Sequence, residues 1–297
     1  MIRSLFRLCI VGVFFLSVNE AFAHPGSGIA VDRHGNVYFI DTGAGVWKID
    51  RAGKLTLLGG PAYHWMAIDI DDRLAKTTLP YYASEDASIA RVGSNPTILV
   101  SSDLPITVGS DGSLYYPMVQ SDQVKIFRLA PSGGTTVVKT LPSVRSKNGE
   151  LRWRNGISTS ADGSIYYSED RAVRKISPKG ELTTISSNLS PPGCEPAPGI
   201  ESELGPYCRG LDVDSSGTVY VAAPGCRAVL KISTDLKVTT VLRAESPWSP
   251  TAVAVSGKDL YVLEYFHTAN ENRREWRPRV RKLSADGSVV TVATINR

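Results

Sequence analysis

The chain repeats itself, and the repeat leaves few folds open. The stretch "GIAVDRHGNVYFIDTGAGVWKIDRAGKLTLL" from Gly28 is matched by "GISTSADGSIYYSEDRAVRKISPKGELTTI" from Gly156 and by "GLDVDSSGTVYVAAPGCRAVLKISTDLKVTTVL" from Gly210. Each copy keeps one order: an apolar run, a glycine turn, a tyrosine-bearing run, a short loop, a run ending in Lys-Ile, a second turn, and a Thr/Val-rich run. Two further copies begin at Ile106 and Ala252. Between the first copy and Ile106 lies "WMAIDIDDRLAKTTLPYYASEDASIARVGSNPTILVSS", a degraded copy with no glycine in its first turn.

Six units result, at roughly 26–60, 61–103, 104–145, 150–190, 206–244 and 248–296. Each carries four short runs rich in β-branched and aromatic residues, with the alternation of half-buried strands and polar Gly/Asp turns between them. No segment has the periodicity of an amphipathic helix. Four-strand units of about 40 residues, repeated, close radially and so hide their sheet edges. The prediction is an all-β, six-bladed β-propeller of four-stranded antiparallel blades, occupying residues 24–297 as one domain. Unit one begins with its own first strand and unit six ends with its own fourth. No strand is then exchanged between the termini, and the ring must close by packing of its first and last blades.

Residues 1–23 read as a secretory leader. Arg3 and Arg7 precede the apolar stretch "LCIVGVFFLSV", and Ala21-x-Ala23 supplies small residues before a cut. The stretch is short for a membrane span, and no later run of about 18 apolar residues exists. The expectation is a periplasmic or extracellular monomer, free of the membrane once cleaved. Loss of Arg3, Arg7 and Glu20 with the leader lowers the net charge from +4 by one. Such a weak excess, without a concentrated basic face, argues against nucleic acid as a partner. Export favours a disulfide among Cys194, Cys208 and Cys226. Cys194–Cys226 is preferred because both lie in "PGC" loops, with Cys194–Cys208 close behind.

The pattern "GIAVDxxGNVYFID" followed by "VWKIDxxGK", recurring over 28–296, resembles that of the NHL-repeat propellers and the related regucalcin/gluconolactonase-like group. The resemblance implies the propeller fold and a site on the face where two kinds of loop gather: those before each first strand and those between the second and third. That group includes hydrolases, lyases and pure binding modules, so function has to be argued from the site.

On that face the sequence places His24, His64, Asn155, Arg209 and Thr251 before first strands, and Asp41, Glu169 and Glu264 after second strands. His267 follows Glu264 by three positions. Three of only four histidines thus fall near the axis. Three imidazoles with an open position suit zinc or copper, and a free amine at His24 after cleavage would favour copper. The resemblance to the NHL-type peptidyl-hydroxyglycine amidating lyases, which place a histidine-held metal on the axis, points the same way. The expected metal ligands are therefore His24, His64 and His267. Calcium is less favoured. The regucalcin-like start "PNG" is matched by "RNGI", so Asn155 occupies a ligand position by resemblance, but the matching acidic start reads "RGLDVD" here, with Arg209 in place of the acid.

The carboxylates Asp41, Glu169 and Glu264 share one register. With Arg209 and "RWRN" they suggest a mixed-charge pocket, in which Glu169, Glu264 and Arg209 are the candidate catalytic groups and Asp41, Arg154, Asn155 and Trp276 the candidate ligand-binding ones. The alternative is that the acids satisfy loop amides and nearby arginines. Trp276 and the arginines of "NRREWRPRVRK" extend a loop expected to overhang the face. Two functions stay open: a metal-dependent hydrolase or lyase acting on a small polar molecule or peptide, and a non-catalytic binding propeller.

Overall fold

A computed structural model of the protein describes residues 25–80, 89–143, 154–189, 191–193, 208–266 and 276–296. The leader (1–23), His24, Cys194 and His267 lie outside the described residues. The described chain is all-β apart from one single-turn 3-10 segment, Pro224–Cys226. Among these residues no helix is long and apolar enough to cross a membrane.

The strands form six blades around an axis. Five are four-stranded sheets whose strands follow in chain order from the inside outward, as in blade 1: Ile29–Val31, Val37–Asp41, Gly45–Ile49 and Leu55–Gly59. The burial of each strand follows its place. The second strand, VYFID, is wholly buried, whereas the outermost, LTLLG, is largely exposed. The six inner strands are Ile29–Val31, Trp65–Asp69, Thr107–Val108, Gly156–Thr159, Leu211–Val213 and Trp248–Ser256. Together they line an axial cavity of about 170 Å³.

The glycines that open the inner strands are a packing requirement. A Cβ at Gly156 would come within 2.5 Å of the Arg209 carbonyl oxygen and 3.1 Å of the Gly210 Cα. At Gly210 it would meet Ala252 Cα and Cβ at 2.8 Å. Each of these inner strands therefore leans on the start of the next blade's inner strand, closer than any side chain allows. This is why the repeat begins "GI" or "GL".

Blade 2 departs from the expected order. Its described strands, Trp65–Asp69, Ile89–Val92 and Thr97–Ser101, form a three-stranded sheet in which Thr97–Ser101 lies between the other two. The chain order followed in the other five blades would put Thr97–Ser101 outermost. It is instead buried at every position, unlike the outermost strand of blade 1. An unbroken apolar run gains more next to the inner strand, where both faces are covered by neighbouring blades.

The ring closes as expected, by packing. Every sheet is built from strands of one stretch of sequence, and among the described residues no strand is exchanged between the ends. One apolar cluster joins Ile29, Val37, Phe39 and Ile49 of blade 1 to Ala252, Ala254, Leu263, Tyr265, Val280 and Ile295 of blade 6. The Tyr265 hydroxyl crosses the seam, donating to Ile40 O at 2.7 Å and accepting from Thr42 N–H at 3.3 Å.

Candidate functional site at the axial mouth

The loops before the inner strands do meet on one face, and the contacts among them define a mouth. The first described residues form a strap across it. Ser27 N–H donates to His64 O at 2.6 Å, Thr251 Oγ1 donates to Gly26 O at 2.6 Å, and Arg209 Nη1 donates to Pro25 O at 2.8 Å. Three consecutive residues of blade 1 are thus tied to blades 2, 6 and 5. The Trp65 indole N–H reaches the Asn155 carbonyl oxygen at 3.1 Å, linking blades 2 and 4.

His64 sits at the edge of this mouth. Its Nδ1 lies 2.6 Å from Ser102 O, and its ring meets Trp65 edge to face. A carbonyl only accepts, so Nδ1 carries the proton, which in the neutral ring leaves the lone pair on Nε2. A backbone carbonyl on the far nitrogen is the usual second partner of a metal-ligating histidine. The other two expected ligands, His24 and His267, are outside the described residues, although Pro25, next to His24, is fixed at the mouth by Arg209. Among the described residues no group of three His, Cys, Asp or Glu is placed to hold a metal.

Asn155 and Arg209 occupy the same position in blades 4 and 5, each preceding the glycine that opens an inner strand. Their backbones are bridged by one serine: Asn155 N–H donates to Ser168 O at 3.1 Å, and Ser168 Oγ donates to Arg209 O at 2.7 Å. Both side chains are buried. Arg209 has no acidic neighbour among the described residues. Burial pushes its guanidinium down to about 10, opposed only by the Tyr265 hydroxyl. A divalent cation held by oxygens at this point would face that guanidinium without a carboxylate to balance either charge. The regucalcin-like calcium arrangement therefore does not fit these residues.

The three carboxylates are committed to other groups. Asp41 is fully buried, with Oδ1 accepting from Gly43 N–H at 2.9 Å and Oδ2 from the Trp47 indole at 3.3 Å. Glu169 lies between Arg154 Nη1 at 3.5 Å and Arg174 Nε at 3.2 Å. Glu264, with no exposed surface, is held by Arg279 Nε at 2.6 Å and by Arg281, whose Nε lies at 3.0 Å and whose Nη2 also bonds it. Arg154 is buried over the Tyr167 ring, and burial lowers its pKa despite Glu169. Arg279 stacks over Trp248 at 4.1 Å. Glu169 and Glu264 are thus the centres of arginine clusters, in line with the alternative reading of the sequence. Trp276 does not overhang the mouth. It is buried in the apolar seam between blades 1 and 6.

Sequence reasoning missed the strap and the Trp65–Asn155 link. "HPGSG" signalled only that little chain separates the leader from the first strand, and nothing in "AYHWMAID" marks an indole that spans two blades.

The fold and this mouth define a six-bladed β-propeller whose one face collects polar loop residues over an axial cavity. No protein-family model matches the chain, and no curated protein matches it either. Solved structures do. A virginiamycin B lyase from Staphylococcus aureus superposes with a TM-score of 0.52 at 17% identity, over 92% of this chain and 85% of that one. A luciferin-regenerating enzyme gives 0.53 at 15%, over 92% and 93%. A putative gluconolactonase gives 0.53 at 16%, over 91% and 90%. At these identities the likeness is one of fold.

Proposed function

We propose that the protein is exported and acts as a hydrolase or lyase on a small polar substrate bound at the axial mouth. The observation that carries this reading is that the loops bearing His64, Asn155 and Arg209, each next to a residue that lines the axial cavity, are tied into one hydrogen-bonded frame by the strap and Trp65. His64, with His24 and His267, would hold a zinc or copper ion. The metal would polarise a carbonyl or a bound water, while Asn155 and Arg209 orient the substrate. The tautomer imposed on His64 by Ser102 O supports its part. The fold-level likeness to a lyase and to a putative gluconolactonase is consistent with that class of chemistry. Export would leave a monomer in the periplasm or outside the cell, with Cys194 bridged to Cys226. Support for that pairing is that Cys208 is a free, buried thiol and Cys226 a disulfide-bonded one.

The test is metal analysis of the purified exported protein together with mass determination of its N-terminus. The reading expects a chain starting at His24 and about one equivalent of metal, lost in His64→Ala/His267→Ala. Metal content unchanged in that double variant would refute the histidine site. A second reading, a non-catalytic binding propeller, is favoured by the engagement of Glu169 and Glu264 with arginines, which leaves neither placed as a general acid or base. Absence of metal together with retained ligand binding would select it.

A further inference from the structure

Two arginines among the described residues are more than nine-tenths buried, Arg154 and Arg209. Arg154 has Glu169 beside it. Arg209 has one neutral partner, the Pro25 carbonyl, and among the described residues no carboxylate within ion-pairing distance. Its remaining nitrogens make no hydrogen bond to a described residue. A buried guanidinium without a counter-charge is costly, and this fold neutralises its other buried arginine. The side-chain amide of Asn155, buried in the adjacent blade at the same position, likewise makes no hydrogen bond to a described residue. In the strap itself the buried Ser27 hydroxyl has no partner among the described residues.

We propose that Arg209 and Asn155 form an oxyanion-binding site at the axial mouth, and that the ligand of this protein is a small acid held there by its carboxylate or phosphate group. The site supplies a planar guanidinium fork and an amide N–H, which together match two oxygens of one anionic group. A neutral ligand would fill the same space and leave Arg209 uncompensated. With the Arg209 guanidinium in the adjacent blade at the same position, the pair offers donors to an anion rather than ligands to a cation. The proposal rests on the axial-mouth reading above for the place of the ligand. It does not depend on metal or on turnover.

The experiment is isothermal titration and thermal unfolding of the mature protein with inorganic phosphate and with acetate, each against chloride at equal ionic strength. The expected result is saturable binding of one equivalent and a rise in melting temperature of about 3 °C when the anion stands at about ten times its dissociation constant. Tighter phosphate than acetate would assign a phosphate ester, and the reverse a carboxylic acid. Arg209→Gln should weaken binding at least about tenfold, and Arg209→Lys, which keeps the charge but not the fork, by less. Absence of heat and of any anion-specific rise in the wild type overturns the proposal, whatever the variants do. So does binding that survives intact in a folded Arg209→Gln. Anion binding that needs Arg209 in a protein without metal or turnover upholds the site and counts against the enzymatic reading alone. Turnover of neutral substrates, indifferent to phosphate and to Arg209→Gln, does the opposite.

Discussion

Replacing Glu264 by Gln separates a structural carboxylate from a catalytic one. The substitution keeps the volume and removes the charge from a group with no exposed surface, between Arg279 and Arg281 side chains that are only 16% and 14% exposed. Breaking a buried pair from one side costs about 3–5 kcal/mol, because the partners are left uncompensated. Both arginines keep some solvent, and the new amide oxygen would still accept one hydrogen bond, so the lower figure of about 3 kcal/mol applies. For a domain of this size that corresponds to a melting temperature lower by about 6–12 °C. Urea unfolding followed by tryptophan fluorescence, with calorimetry, measures both quantities. A variant within about 1 kcal/mol of wild type would refute the ion-pair argument. If it were also inactive while the wild type turned over substrate, Glu264 would return as a catalytic candidate.

Other consequences can be measured alongside it. Tyr265→Phe removes the hydroxyl that bonds Ile40 O and Thr42 N–H across the ring seam, and should cost about 1–3 kcal/mol, read as a lower urea midpoint. Gly210→Ala forces a methyl against Ala252 and should destabilise by about 1–3 kcal/mol or shift the blade 5–6 spacing, visible in a crystal structure. At Asp32 burial opposes ionisation, but hydrogen bonds from Asn36, Tyr38 and His34 outweigh it and hold the carboxyl below its ordinary value of 3.8. The stability it contributes is therefore present above 3.8 and lost as pH falls through the lowered folded value. The gap between wild type and Asp32→Asn should be constant at neutral pH and shrink only in acid. A gap that widens in acid would contradict this.

Much of the architecture was legible because it repeats. Glycine turns, Tyr-bearing second strands and Lys-Ile third strands recur at fixed offsets, and these fix blade number, loop faces and closure without strand exchange. The exception was blade 2. Without a glycine in its first turn the offset was lost, and the strand pairing, with the burial of every position, shows that Thr97–Ser101 takes the central place. The site was legible as a face and not as a set of partners. Register put Glu169 and Glu264 beside the mouth. Their arginines come from the following strand or from the blade's own entry loop, at separations the sequence does not pair. Trp276 was placed by its charged neighbours, whereas the apolar seam between blades 1 and 6 decided its position. Arg209 was visible as a departure from the regucalcin-like pattern. That it lacks a counter-charge among the described residues is a fact of packing.

The claim that the axial mouth is the ligand site, with Arg209 and Asn155 as its donors, is tested most directly by a crystal of the mature protein soaked in inorganic phosphate. The account predicts one anion with oxygens about 2.7–2.9 Å from the Arg209 guanidinium and within hydrogen-bonding reach of the Asn155 amide. A mouth holding only water, with phosphate bound elsewhere or nowhere, would contradict it.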